Sequence, residues 1–553
     1  MKYFTVAALA AVAQAAQITL LEDGKVHTCA FTSNLNKAKD EDFGTLLGKH
    51  SAESPFTDAA FTAEESSLFW ADAGEEWNKS IWVDGWARAS TNFYDNSKLT
   101  LFGEHGVNPL DIRQGKIGNC WLMSAASALA EKGHRIENLF HGSGKNEVNP
   151  AGVYGVNIFA LGVPKTIIVD DFLPLRDWNP ILPLQPVFAR IGPDNSIWGM
   201  ILEKALAKHH GNYKHLKSGN PLMGVRTLHG GPWEHVEHAD EDIDADKLWE
   251  MLTTHDMNNE IILAGTGGVG HWNQFENGLA KGHAYTILGA HDIGDGVRLV
   301  KVRNPWGNEQ YEGDWCDWDD RWDDVSSSVK EDIGYKHEWG DGVFFMSIED
   351  YARGFEFTQF VHDVSDGWRG DYYMYLGDET ADNCGENCIQ HEFKLKNNGQ
   401  EEQTVYAAGH TWDERGYAEE CQQQGASFVM EIGENYAFNR SGSDQMAPFK
   451  LGAGEEVSGT IKLSWTADTP RDWSITTWTE SYTNKIEIIM PGLEERPSDT
   501  HSFTPSEGGL GSAALFEEDV DCTPGDITGG DPLMPPMPPA ATPSDGTGPA
   551  TPE

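Results

Sequence analysis

The sequence predicts an α+β protein of several domains, on three observations. An alanine-rich apolar run, Cys120-Trp-Leu-Met-Ser-Ala-Ala-Ser-Ala-Leu129, follows two glycines and reads as a helix. Two apolar runs, Thr286–Ala290 and Val300–Asn304, read as buried strands, the second closed by a Pro-Trp-Gly turn. Beyond residue 365 short alternating segments take over, as in Ile461-Lys-Leu463-Ser-Trp465 and Trp473-Ser-Ile475-Thr-Thr-Trp478. Phe393, Leu395, Val405, Tyr406, Phe428 and Met430 sit in comparable stretches separated by Gly and Asn, which favours an antiparallel β-sandwich over 365–495. A chain of 553 residues with 39% apolar content and 20 tryptophans is long enough for several packed cores.

At the N-terminus, residues 1–16 carry one positive charge, a short apolar core and small residues at their end. That pattern predicts a secretory signal cut after Ala15 or Ala16. The stretch is too short for a comfortable membrane span, and no later segment has 18 consecutive apolar residues. Residues 17–55 are polar with little periodicity and read as a lead-in or a short pro-segment. The formal net charge of −47 argues against nucleic acid or an anionic membrane as partner, since phosphate binding needs clustered Lys and Arg.

The Gln114-Gly-Lys-Ile-Gly-Asn-Cys120-Trp121 stretch carries the sharpest chemical signal. A thiol at a helix N-terminus faces the positive end of the peptide dipoles, which favours the thiolate. Gln114 offers a side-chain N–H to a developing oxyanion, and the Cys120 backbone N–H offers a second. The bland reading is a small buried cysteine in a core helix. A thiolate enzyme also needs a base and an orienting group. His283 opens the apolar run after a glycine, and Asn304 closes the neighbouring one. Side by side, the Asn oxygen would accept from one ring nitrogen and leave the other facing the thiol, with the Trp306 indole covering that bond. His271 and His291 are rival bases.

Gln-x-x-x-Gly-x-Cys-Trp, Gly-His-Ala-Tyr and Arg-Asn-Pro-Trp-Gly, in this order, resemble the calpain branch of the papain-like cysteine peptidases. The likeness extends to Phe56–Phe61, Trp86-x-Arg88, Trp198–Lys208 with Gly211-Asn-Tyr213, and Asp341–Asp350, so it covers about 56–360. One departure is Asn119, where calpains usually carry Asp. The resemblance implies a papain-like core of two lobes, helical over about 106–230 and strand-rich over about 231–360, with the active site in a cleft between them. The β-rich 365–495 then stands where a β-sandwich follows the calpain core. Its expected role is packing or substrate presentation, with carbohydrate or lipid binding as a weaker option.

Calpain cores bind calcium at one loop in each lobe. The resemblance puts Asp111 and Glu203 at the first site, and Asp317 and Asp341 at the second, where Gln310 and Val343 replace expected acids. Fewer carboxylates weaken a calcium site. No EF-hand loop occurs in a helix-loop-helix context.

Beside Cys120 stand Cys29, Cys316, Cys384, Cys388, Cys421 and Cys522, enough for three disulfides in an oxidising compartment. Cys384 and Cys388 would close a local loop, or one of them would reach Cys421; a zinc site from this pair lacks a matching second pair. The sequons Asn78-Lys-Ser80 and Asn439-Arg-Ser441 would be open to glycosylation there. Residues 497–553 carry 11 prolines and no Lys or Arg, and read as a disordered tail.

Together these readings describe a secreted cysteine endopeptidase acting on protein or peptide substrates through Cys120, His283, Asn304 and Gln114, with calcium as an optional modulator. The rival readings are a catalytically silent scaffold of the same fold, marked by a missing triad member, and another papain-fold acyl transfer such as a transglutaminase. Oligomeric state is not encoded in any pattern here.

Overall fold

A computed structural model of the chain describes residues 19–20, 26–27, 43–69, 83–91, 98–141, 146–177, 184–268, 277–308, 311–338, 340–375, 383–385, 387–416, 426–439, 442–464, 472–481, 483–491, 493 and 500–503. All of them fall within the compact unit Met1–Gly511. The signal segment 1–16, the Asn78 sequon, His271, Gln310, Cys29, Cys421, Cys522 and the tail beyond 503 lie outside the described residues.

The alanine-rich run forms the helix Cys120–Leu129, and all ten of its side chains are buried. A helix apolar all round must be covered on every side. The helix Pro221–Leu228 covers one side, started by Asn220, whose Oδ1 accepts from the Leu222 N–H. Gly224 permits the close approach, because a Cβ there would lie 2.7 Å from the Ala125 Cβ and 2.9 Å from the Trp121 carbonyl oxygen. The helix Trp198–His210 and the hairpin of Val153–Ala160 with Val163–Asp170 complete the same core. The hairpin and the strand Phe172–Arg176 add sheet to a region expected to be helical.

The Trp198–His210 helix also buries charge. Lys204 pairs with Asp170, and the Lys208 Nζ lies 2.8 Å from Asp58 in the lead-in to this lobe. The polar segment 17–55, which shows little periodicity, also contains a helix. Phe43–Lys49 is a helix whose Leu46 packs with Ala151 and Val153. One buried leucine in seven residues is too sparse a pattern to show as periodicity.

The second lobe is a six-stranded antiparallel sheet. Its strand order is Val343–Ser347, Arg298–Arg303, Ala284–Asp292, Ile261–Gly265, Phe357–Val361, Trp233–Glu237. The helix Ala245–Met257 lays Leu248 and Leu252 on it. The register pairs Thr286 with Arg303, so the start of one strand lies beside the end of its neighbour. Ile261, Leu263 and Val361 of this sheet join the first-lobe core, so the lobes share apolar contact.

Residues 369–503 form two further antiparallel sheets. One runs Ser443–Gln445, Gln403–Thr411, Trp473–Thr479, Arg369–Tyr375, Thr500–Phe503; the other runs Asn435–Asn439, Ser427–Ile432, Glu456–Ser464, Cys388–Asn397, Ile486–Ile489. Tyr373, Val405 and Ile475 of the first share a core with Phe393, Met430 and Ile461 of the second. Trp473–Thr479 departs from simple alternation, being buried at every position. Its other face is covered by the first lobe: Ser474 Oγ donates to the Leu161 carbonyl, and Trp478 packs on Phe159.

Two sequence expectations need correction here. The tail does not begin at 497, because Thr500–Phe503 pairs with Arg369–Tyr375 as an edge strand. The Pro-rich average over the tail masks four residues that contain no proline. Nor do all six remaining cysteines pair. Cys384 and Cys388 form a disulfide, the closed local loop, but Cys316 is a half-buried thiol packed against the second-lobe core.

Candidate active site

The chain enters the Cys120 helix through a tight passage. Gly115 lies so close to Phe188 that a Cβ would fall 1.7 Å from its carbonyl oxygen. Cys120 is the first residue of the helix, so its backbone N–H belongs to the set with no intrahelical acceptor. The sulfur accepts a hydrogen bond from the Ala284 N–H, which sets it against the residue following His283. Burial pushes the thiol up to about 11, while the N–H groups of Ala284, Trp121 and Cys120 itself pull the other way. The helix dipole alone therefore does not yield a standing thiolate. Desolvation outweighs it, so ionisation near neutral pH calls for a cation beside the sulfur.

His283 sits at the N-terminal end of its strand, and its Nε2 lies 2.9 Å from Asn304 Oδ1. That oxygen also accepts from the Trp306 N–H at 3.0 Å. An amide oxygen only accepts, so Nε2 carries the proton and Nδ1 is the basic nitrogen of the neutral ring. The Trp306 ring lies 4.4 Å from the imidazole and Tyr285 meets it edge-on at 4.9 Å. His291 lies further along the same strand, packed near Phe345.

Gln114 Nε2 donates to the Ile117 carbonyl at 2.8 Å, leaving one N–H of the amide for another acceptor. Exposure is 5% for Gln114, 3% for Cys120 and 2% for His283 and Asn304. These residues are buried along a seam between the segments around 114–127 and 283–306. The seam is stitched by polar bonds. The Gln114 N–H donates to the Pro305 carbonyl, and Arg190 Nη2 donates to the carbonyls of Gln114 and Trp306 at 3.0 and 2.9 Å. The Thr286 hydroxyl donates to the Ser124 carbonyl, and the buried Arg303 reaches Ser127 Oγ and the Ile112 carbonyl. Sequence reasoning missed Arg190, Thr286 and Arg303. A charged residue at a buried strand end was a usable signal for Arg303; nothing local marks the other two.

The four carboxylates expected to hold calcium do not form cages. Glu203 is buried, with Oε1 taken by the Asn119 amide at 2.7 Å and Oε2 by the Ala189 N–H at 2.9 Å. Burial pushes its carboxyl up to about 7 despite those donors. Asp111 Oδ2 accepts from the Asn108 N–H and the Trp198 indole, and burial also raises this carboxyl to about 7, with Asp194 adding repulsion. Asp317 Oδ2 accepts from the Glu338 N–H, and Asp341 Oδ1 from the Val343 N–H. Among the described residues no three His, Cys, Asp or Glu side chains gather closely enough to hold a metal ion. Calcium needs six to eight oxygens turned toward it, and these carboxylates are turned toward N–H donors. The residues present do not fit the ion in this arrangement.

The family pattern described as "Calpain family cysteine protease" matches residues 56–362, more than half of the chain. Calpain-type cysteine protease DEK1 of Arabidopsis thaliana is 30% identical over 331 residues, 57% of this chain and 15% of that protein. Calpain clp-1 of Caenorhabditis elegans is 30% identical over 307 residues, 54% of this chain and 37% of that protein. The calpain-1 catalytic subunit of Homo sapiens is 28% identical over 313 residues, 55% of this chain and 41% of that protein. The chain spans less than half the length of each of these relatives. A match running through the segment that contains Cys120, His283 and Asn304 identifies the chain as a member of the calpain family of cysteine proteases.

Proposed function

We propose that this chain is a secreted endopeptidase that hydrolyses peptide bonds through Cys120, His283 and Asn304, with Gln114 as an oxyanion donor. The observation that carries the reading is the convergence of Asn304 on His283 Nε2, with the Ala284 N–H on the Cys120 sulfur. The lobes are read as a papain-like core and the two sheets after 369 as a β-sandwich.

The proposed steps follow from the protonation states. Substrate displaces water at the seam, and the Cys120 proton passes to His283 Nδ1. The sulfur attacks the peptide carbonyl carbon, forming a C–S bond while the carbonyl electrons move to oxygen. The Cys120 N–H and the second N–H of Gln114 receive that oxyanion. The imidazolium gives its proton to the leaving amine as the C–N bond breaks. Water, deprotonated by His283, then attacks the thioester, breaks the C–S bond and releases the acid. Asn304 and the Trp306 ring hold the imidazole in register throughout. No step passes through calcium.

Secretion is supported by the signal-like residues 1–16 and by the Cys384–Cys388 disulfide. Two measurements test the whole reading. An epoxide-type thiol inhibitor should label wild type on Cys120 and block casein cleavage, and Cys120→Ala should be folded and inactive. Cleavage retained by Cys120→Ala would leave the silent-scaffold reading standing. For secretion, N-terminal sequencing of native material should start near Ala16 or Gln17; an intact Met1 would reject it.

A further inference from the structure

We propose that Arg415, from the β-rich region after 369, is a positioning residue for Cys120; the inference rests on the peptidase reading above. Arg415 lies in the turn Glu414–Gly416 that follows the strand Gln403–Thr411. Its guanidinium sits over the Trp121 indole, 4.6 Å from the ring centroid. Trp121 directly follows the nucleophile. Nη1 donates to the Ser218 carbonyl at 2.7 Å and to the His215 carbonyl at 3.1 Å. Asp413 Oδ1 accepts from the Arg415 backbone N–H and lies 3.2 Å from Nε, so a carboxylate stands beside the guanidinium.

The segment that Arg415 grips is the one that holds both flanks of Cys120. The Ser218 N–H donates to the Gly118 carbonyl at 2.8 Å, before the cysteine. The Trp121 indole N–H donates to the Leu216 carbonyl at 2.8 Å, after it. Gly219 closes the layer, since a Cβ there would lie 2.8 Å from the indole ring. Cation, ring and two carbonyls form one clamp over residues 118–121. A planar fork that stacks and donates at once is a task for arginine and not for lysine. The β-rich region would then be part of the catalytic geometry instead of an appended module.

Arg226 supplies the control. It crosses the same junction, but its partners are the Ser443 carbonyl, to which it donates at 2.6 Å, and the Trp233 ring, on which it stacks. The experiment compares wild type, Arg415→Ala, Arg415→Lys and Arg226→Ala in the full chain. It reads casein kcat and KM, the pH profile of Cys120 alkylation by iodoacetamide, and Tm. Arg415→Ala should lower kcat by about tenfold or more, as expected when a reacting group is displaced by a fraction of an ångström. KM should stay within about twofold, and the alkylation plateau should move to higher pH. Arg415→Lys should keep Tm yet lose most of the same kcat, and it carries the test if the alanine variant fails to fold. Wild-type kcat in a folded Arg415→Ala or in Arg415→Lys overturns the proposal, as does an equal loss in Arg226→Ala. Failure of wild type itself to alkylate at Cys120 would instead reject the peptidase reading.

Discussion

Burial and the helix dipole act in opposite directions on Cys120, and burial wins when no cation stands beside the sulfur. Proton transfer to His283 leaves the pair neutral overall, so the buried site can ionise internally without taking up net charge. His283→Ala removes that acceptor. The Cys120 thiol should then titrate toward the value that burial dictates, about 11, and not below its ordinary value. Iodoacetamide alkylation of this variant should keep rising with pH beyond 9, while wild type levels off near neutrality. Identical profiles would mean that the imidazole does not govern the sulfur. Asn304→Ala should retain the plateau but lower kcat by about tenfold to a hundredfold, because only the ring orientation is lost. A loss expressed in KM alone would contradict that role.

At the scale of elements, the Cys120 and Trp198–His210 helices are joined through Asn119 and Glu203. Burial holds the Glu203 carboxyl near 7, above its ordinary 4.5. A raised folded-state pKa gives stability that is fully present below about 4.5 and is lost as pH rises through 7. Wild type should therefore lose stability between pH 5 and pH 8 relative to Glu203→Gln, by on the order of 2–3 kcal/mol at about 1.4 kcal/mol per pH unit. Urea unfolding of both proteins at the two pH values measures this directly. A constant difference would show that the folded state does not raise the Glu203 carboxyl.

Across the whole molecule, the junction between the first lobe and the β-rich region buries neutral histidines. Burial lowers His209 to about 3, helped by Lys165, and His410 to about 3, helped by Arg226. His210 falls in the same direction, with His209, Arg415 and His215 adding repulsion. Asp413 and Asp444 face Arg226 across the junction. A histidine lowered in the fold gives stability that is present above about 6.5 and is lost as pH falls toward 3. Asp111, Glu131 and Glu203, raised to about 7, oppose this between about 4.5 and 6.5 by holding protons in the folded state. His410→Gln should flatten the fall in stability between pH 6.5 and 4 by about 1.4 kcal/mol per pH unit. An unchanged slope would remove His410 from the balance. Calcium belongs to the same scale. With its candidate carboxylates committed to N–H donors, casein cleavage should be equal in excess chelator and in millimolar calcium. A tenfold rise with calcium would show that those carboxylates rearrange to take the ion.

By itself the sequence determined the elements whose signals are local. The apolar run after Gly118 marks the Cys120–Leu129 helix, and the runs around 286–290 and 300–304 mark adjacent strands, because periodicity and turn residues act within a few positions. It also placed Cys120, His283 and Asn304 as candidates, since a glycine-led cysteine and two strand ends are readable one at a time. Only the tertiary structure decided how deeply these residues lie, how far burial raises Cys120 and Glu203, and that Asp111 and Glu203 face donors and not a shared ion site. It also decided that Thr500–Phe503 pairs as a strand and that Arg415 lies over Trp121. Desolvation and stacking depend on every group packed around a side chain, and those groups come from separate stretches of the chain, as Asn119 and Glu203 or Trp121 and Arg415 do.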